Sequence, residues 1–216
     1  MAAGSSSRFG IEDKRLAEFQ NTTLLNALIN KITVLFQYHV LVLSSNDNLV
    51  DLNIQQDYTD LSTIQSLESN PSNYVFYAQH AHTGLGSSIG NVFTELSQKT
   101  LPNYLTSAAI FLADMPHIKN ETIQLVTNNC DLHKIRRPTL TEQQLTNTNL
   151  KFKNRYGNFG HPVVFGKQFW QELAGLNGDS GAAAVIKKHT QHLSLIEVDD
   201  LGVILDIDFK EDLNNK

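Results

Sequence analysis

Short apolar runs alternate along this chain with stretches whose apolar residues recur every three or four positions. Residues 39–43 (HVLVL), 74–78 (YVFYA) and 108–112 (AAIFL) read as buried strands. Residues 163–165, 193–198 and 203–207 predict three more. Between them, Leu24, Leu25, Leu28, Ile29 and Ile32 fall on one helical face, and Ile89, Val92, Phe93 and Leu96 on another. Phe169, Trp170 and Leu173 mark a third, and Asp179 stands where it would cap a helix over residues 180–189. Strands alternating with helices predict an α/β domain with a mainly parallel sheet, and such sheets bind ligands beyond the carboxyl ends of their strands. Residues 139–155 are polar and without a clear period, and read as an inserted surface loop within a single domain spanning 1–216.

Composition narrows the classes. The 216 residues are 41% hydrophobic and 18% charged, enough apolar material for a sizeable core. A net charge of −5 argues against a general nucleic-acid surface, which needs a basic face. One small anion site remains compatible with it, because nearby donors outweigh distant screened charge. The single cysteine, Cys130, excludes an internal disulfide framework and a cysteine-based zinc cluster. Neither an apolar run of membrane-spanning length nor a signal peptide is evident, so the expectation is a cytoplasmic protein without membrane attachment.

Four segments carry candidate chemistry. The first is Ala2-Ala3-Gly4-Ser5-Ser6-Ser7-Arg8-Phe9-Gly10 with Lys14 beyond it. Its glycines allow backbone N–H groups to converge, its serines add donors, and Arg8 and Lys14 add the positive charge a polyphosphate needs. The spacing is not that of a Walker A loop; a flexible serine-rich terminus is the plainer alternative. The second, Thr83-Gly84-Leu85-Gly86-Ser87-Ser88, lies between a strand and a helix, where backbone and helix N-terminus favour a phosphate or nucleotide. It also spells a formal Gly-x-Ser-x-Gly elbow at Gly86, Ser88 and Gly90, or an ordinary turn with a serine cap. The third, Asp114-Met115-Pro116, puts a carboxylate at a strand's end, suited to Mg²⁺ or to a solvated turn. The fourth, Asp206-Ile207-Asp208, reads as the end of the last strand, with both carboxylates on one face and a cation between them. His161 in Gly160-His161-Pro162 is either a substrate contact or a turn histidine. His80 and His82 have metal-like spacing on an extended segment but no acid beside them, and read as structural or solvated.

Taken in order, these segments resemble the molybdenum cofactor cytidylyltransferases, within the wider molybdopterin nucleotidyltransferases. The resemblance rests on Ala2 to Gly10 with Lys14, on Gly84, Gly86 and Ser88, on Asp114 and Pro116, and on Gly160, His161 and Pro162. Gly178, Asp179, Gly181 and Ala182 continue it, and Asp206 to Asp208 with Glu211 to Leu213 close it. It implies a Rossmann-like three-layer α/β/α sandwich with a mixed, mainly parallel sheet, like the nucleotide-diphospho-sugar transferases. It implies transfer of CMP from CTP to the phosphate of molybdopterin-bound molybdenum, with release of pyrophosphate and delivery to a recipient molybdoenzyme. Arg8 and Lys14 would neutralise the triphosphate, with Ala2, Ala3, Gly4, Ser5, Ser6 and Ser7 cradling it. Gly84, Gly86, Ser87 and Ser88 would lie near base and ribose. Asp114 and Asp206, or Asp208, would hold Mg²⁺, and His161 and Asp179 would face the acceptor. The double alanine before Gly4 points to the CTP-using branch.

The chain departs from the pattern in places. Only Met1 precedes the Ala-Ala-Gly, so the first and central strand is expected to be truncated and the natural start to lie upstream. Ser180 and Ala183 stand where basic residues are frequent, which bears on the acceptor. The rival readings are a transferase acting on a sugar or polyol phosphate, a serine hydrolase built on Ser88 with Asp114 or Asp179 and His161 or His189, and a non-catalytic cofactor carrier.

Overall fold

The computed structural model describes residues 1–4, 9, 12–68, 72–147 and 158–214. The chain opens with a two-residue hairpin, β1 (Glu18–Phe19) and β2 (Thr22–Thr23), and enters α1 (Leu24–Leu35) through Thr23, whose hydroxyl accepts from the Asn26 N–H. There follow β3 (His39–Ser44), β4 (Thr59–Asp60), β5 (Asn73–Ala78), α2 (Leu85–Ser97), β6 (Ser107–Ile110), α3 (Asn120–Thr127) and β7 (Ile135–Thr139). Then come α4 (Glu142–Asn147), β8 (Val163–Gly166), α5 (Trp170–Ala174), α6 (Ala183–Lys188) and β9 (Leu193–Glu197).

Two sheets carry the core. One has the order β3-β5-β4, all parallel; the other has the order β6-β8-β7-β9, with β8 antiparallel to both its neighbours and β7 parallel to β9. Met1–Ala3 lies between them. The Ala2 N–H donates to the Val42 carbonyl of β3 at 2.8 Å, Met1 N donates to the Phe111 carbonyl at 2.8 Å, and the Ala113 N–H donates to the Met1 carbonyl at 3.1 Å. The first residues thus join both sheets at their site-forming end, in the central position that sequence assigns to the first strand.

Strand periodicity sorts the layers. Val42, Tyr74, Phe76 and Ala78 pack with Ile89, Val92 and Phe93 of α2, Trp170 and Leu173 of α5, and Val185 of α6. Leu41, Leu43 and Val75, alternating with them, pack against Leu25 and Ile29 of α1. Leu28 of α1 and Ile123 of α3 meet Phe111, Leu112 and Met115. The result is the expected three-layer α/β/α arrangement, its mixed β layer divided into the two sheets that Met1–Ala3 joins.

Four expectations are corrected. Residues 203–207 form no strand: a 3₁₀ turn occupies Leu201–Val203, capped by Asp200, and the chain then runs on in single bonds, His161 N–H to the Val203 carbonyl and Ile207 N–H to the Asp114 carbonyl. The helix expected over 180–189 begins at Ala183, with Ala182 rather than Asp179 at its cap, because Gly178 and Gly181 have φ of +67° and +55° and hold the preceding turn out of helical geometry. The polar stretch from residue 139 is not wholly loop. Thr139 ends β7, and Thr141 and Gln144 exchange bonds at the start of α4, the Thr141 N–H to Gln144 Oε1 at 2.8 Å and the Gln144 N–H to Thr141 Oγ1 at 3.2 Å. That capping box is a local signal that apolar periodicity does not register. His80 and His82 flank Ala81 in a 3₁₀ turn, not an extended segment. The apolar pattern does not predict α3, β7 or the two-residue strands β1, β2 and β4; β7 carries Arg136, Arg137 and Pro138, a composition foreign to a buried strand.

Helix α2 packs with its backbone close to residues 174–179. A Cβ on Gly90 would stand 2.1 Å from the Leu176 carbonyl oxygen, which cannot yield as a side chain can. Gly90→Ala should therefore lower stability by about 2 kcal/mol or more, a fall of roughly 5 °C in thermal midpoint. Gly175→Ala, whose new Cβ finds its nearest neighbour at 3.5 Å, serves as the control that should stay within about 1 °C. Equal melting of the two variants in calorimetry would contradict the close-approach argument.

Candidate active site

At the carboxyl edge of the sheets lies a cleft of about 530 Å³, lined by Met1–Gly4, Phe9, Lys14, Arg15, residues 81–85, Ser88, residues 112–114, Asp179 and Asp208. Three separate segments meet at its charged wall. The Lys14 ammonium donates to Asp114 Oδ2 at 2.9 Å and lies 3.6 Å from Asp208 Oδ1. These side chains are 14%, 25% and 26% exposed, so the charges are partly shielded from water yet reachable from it. Asp114 Oδ1 is buried and meets no donor among the described residues. Asp208 is delivered by the bond from Ile207 N–H to the Asp114 carbonyl at 2.9 Å.

Lys14 is held in place by its neighbour. Lys14–Leu16 forms a 3₁₀ turn capped by Asp13. The Arg15 guanidinium binds both carboxylate oxygens of Asp47 at 2.7 and 2.8 Å, both oxygens of Asp13, and the Ala2 carbonyl at 2.9 Å. Asp47 in turn accepts from the Ser44 N–H at the end of β3. Burial works against the Arg15 charge, but its bonds to Asp47 and Asp13 outweigh that and raise its pKa. Burial likewise works against the Asp13 carboxylate, and Arg15 overcomes it, holding Asp13 below the usual carboxylate range. One residue thus ties the Lys14 turn to the first strand position and to β3. Sequence reasoning missed Arg15 because a lone arginine after a lysine carries no motif.

The opposite wall is built on glycine. Gly84, at φ +126°, leaves no room for a Cβ, which would lie 2.5 Å from the Asp179 Cα. A Cβ on Gly86 would lie 2.8 Å from both the Asn177 and the Gly178 carbonyl oxygens. Ser87 completes the seam: its hydroxyl accepts from the Gly178 N–H at 2.8 Å and from Thr83 Oγ1 at 2.6 Å, and its N–H donates to the Gly178 carbonyl at 3.2 Å. This seam brings Asp179 to the cleft beside Gly84.

The expected site residues therefore divide. Ala2, Ala3, Gly4, Lys14, Gly84, Ser88, Asp114, Asp179 and Asp208 line the cleft. Gly86 and Ser87 do not; they are buried in the seam behind it. Asp206 is absent from the lining; of the two C-terminal aspartates, Asp208 lines the cleft and lies beside the Lys14 ammonium that binds Asp114. His161 is buried behind the wall and does not line the cleft. Ser5, Ser6, Ser7 and Arg8 lie outside the described residues. Ser88 sits within the first turn of α2, its N–H bonded to the Gly84 carbonyl. A nucleophile elbow needs its serine on a strained strand-to-helix turn, so the hydrolase geometry is not formed. His82 joins the lining, a residue that sequence assigned no role there. Among the described residues no group of three or more His, Cys, Asp or Glu side chains makes a ready-built metal cage.

Burial drives the His161 pKa down to about 4, with the Arg137 charge adding to the effect. In the unfolded chain the ring titrates near its ordinary 6.5. Between these values the unfolded state binds the extra proton, so folding loses stability as pH falls from about 6.5 to 4, by about 3 kcal/mol in full. His39 and His117 are also lowered by burial and act in the same sense. Urea unfolding of His161→Asn should accordingly show a shallower loss between pH 7.5 and pH 5 than the parent; parallel slopes would refute a neutral buried ring. Arg15→Met should cost about 3 kcal/mol by stranding Asp47 and Asp13, read in the same titrations at pH 7; a change under about 0.5 kcal/mol would show that the clamp is not rigid.

The profile of the MobA-like NTP transferase domain matches residues 1–193. No curated protein sequence matches the chain significantly. Among solved structures, Rv0371c from Mycobacterium tuberculosis H37Rv superposes with a TM-score of 0.71 at 20% identity, covering 99% of this chain and 92% of that one. Its manganese complex gives 0.66 at 18%, covering 99% and 92%. The 4-diphosphocytidyl-2C-methyl-D-erythritol synthase of Anaerococcus prevotii gives 0.62 at 14%, covering 98% and 89%. At these identities the likeness establishes the fold. No helix among the described residues is long and apolar enough to cross a membrane.

Proposed function

The chain belongs to the MobA-like NTP transferase domain family, and on that premise we propose that its cleft joins the nucleotidyl group of CTP to the phosphate of a molybdopterin-type cofactor. The observation that supports this most directly is the meeting of Lys14, Asp114 and Asp208, from three distant segments, beside the backbone of Ala2–Gly4. An oxygen of the acceptor phosphate attacks the α-phosphorus. That P–O bond forms as the bond to the β-phosphate oxygen breaks, and pyrophosphate leaves. No proton or electron is needed from the protein, so catalysis is positioning and charge stabilisation.

In this reading Lys14 and Arg8 neutralise the triphosphate, and the Ala2–Gly4 backbone lies along it with Ser5, Ser6 and Ser7. Gly84 and Ser88 border the base and ribose. Asp179 faces the acceptor, with Gly86, Ser87 and His161 holding that wall in shape from behind. A divalent ion, Mg²⁺ in the cell, fits the residues present: Asp114 offers a buried oxygen that meets no donor among the described residues, and Asp208 brings a second carboxylate to the same lysine. Mg²⁺ takes one or two carboxylates and completes its shell with phosphate oxygens and water, whose charge it neutralises. The manganese complex of the Mycobacterium protein supports a divalent ion in this fold. Asp206, two residues before Asp208 in the same segment, does not line the cleft. A recipient molybdoenzyme would take the product.

The likeness to an enzyme that the Anaerococcus structure names as a diphosphocytidyl-methylerythritol synthase favours a second reading, a polyol phosphate as acceptor. Pyrophosphate release with each of the four nucleotides, and with molybdopterin or polyol phosphate as acceptor, separates the two. CTP with molybdopterin is expected to give turnover; turnover with polyol phosphate alone selects the second reading, and none with any pair selects the carrier. Asp114→Asn should lower kcat at least about 100-fold without unfolding the chain. Retained turnover in that variant would remove Asp114 from the chemistry.

A further inference from the structure

The Lys14 ammonium occupies the space between the two carboxylates that the proposed function gives to a divalent ion. It sits 2.9 Å from Asp114 Oδ2 and 3.6 Å from Asp208 Oδ1. Two carboxylates brought together in a partly buried cleft repel unless a cation lies between them, and here the protein supplies that cation itself. An ion bound to both at about 2.1 Å per oxygen would need the position that Nζ now holds, and would repel an ammonium left beside it. The two cations exclude each other.

What can move is also defined. The backbone around Lys14 is fixed by the Asp13 cap and by the Arg15 bonds to Asp13, Asp47 and the Ala2 carbonyl. Beyond that anchor, the four-carbon lysine stem has rotatable bonds of its own. The cleft it would swing into is lined by Ala2–Gly4, the backbone placed along the triphosphate.

We propose that Lys14 is a resident counter-cation of the Asp114–Asp208 pair, exchanged for the divalent ion when the ammonium swings onto the triphosphate. Metal and nucleotide are then coupled through one side chain: the ion frees the lysine for the phosphates, and the phosphates hold the lysine away from the ion's ligands. By linkage each raises the other's affinity by the same factor. The empty cleft holds divalent metal poorly and commits to it together with the nucleotide. The inference rests on the carboxylate site of the proposed function.

Mn²⁺ binding to the full chain without nucleotide, read from the free-ion electron paramagnetic resonance signal, tests it without turnover. Lys14→Met should bind Mn²⁺ about tenfold more tightly than the parent, and Lys14→Arg, which restores a cation, should return towards the parent value. Lys210→Met removes an equal charge from an exposed pair with Glu12 and should change affinity less than about twofold. Asp114→Asn should weaken binding in every background. Lys14→Met binding no more tightly than the parent, or no more tightly than Lys210→Met, overturns the exchange while the Asp114→Asn effect leaves the metal site standing. An Asp114→Asn variant that binds Mn²⁺ like the parent removes the site itself, and the exchange with it.

Discussion

Asp114 and Asp208 stand where two carboxylates would repel, and the Lys14 ammonium between them lets the segments that carry them meet. The lysine comes from a 3₁₀ turn near the start of the chain, Asp114 from the turn after β6, and Asp208 from the C-terminal tail. None of these segments is held in the site by a strand ladder. Single backbone bonds bring Asp114 and Asp208 near, the Arg15 side chain anchors the Lys14 turn, and the ion pairs join the three. A site assembled from such distant pieces costs loop-closure entropy, which the sandwich behind it offsets by burying the first residues between two sheets.

The other wall uses a different physical device. Around Lys14 the constraint is charge, whereas around Gly84 it is the absence of side chains. Gly84, Gly86 and Gly90 let α2 approach residues 174–179 backbone to backbone, and Ser87 spends its hydroxyl bonds on that seam. Glycines that suggest a nucleotide contact in the sequence therefore have a packing reason as well. For Gly86 the packing reason is the one the geometry supports, because it lies behind the cleft surface. His161 follows the same logic: in a loop motif it resembles a substrate contact, yet it is buried and neutral and supports the wall from within.

Arg15 connects the two devices to the fold. Its planar fork matches two carboxylates and a carbonyl at once, so the lysine beside it projects from an anchored turn. The fixed arginine thus gives the cleft a stable frame, from which the adjacent lysine places its charge on Asp114 and Asp208.

The layers were legible in the residue order. Apolar periods located α1, α2, α5 and the strands β3, β5, β6, β8 and β9, because burial on one face or both imposes a local repeat that survives in the residue order. The order of the glycine, aspartate and histidine motifs was equally legible, and with it the family. Which residues of those motifs face the cleft depends on how the segments pack in space. Asp208 lines the cleft and Asp206 does not, because residues 203–207 form no strand and so lose the alternation that would have put the two aspartates on one face. Arg15 acts through five partner atoms spread over residues 2–47, and β7 keeps two arginines in a sheet. Contacts of that kind leave no period and no motif, since they depend on distances between segments, which residue order does not encode locally.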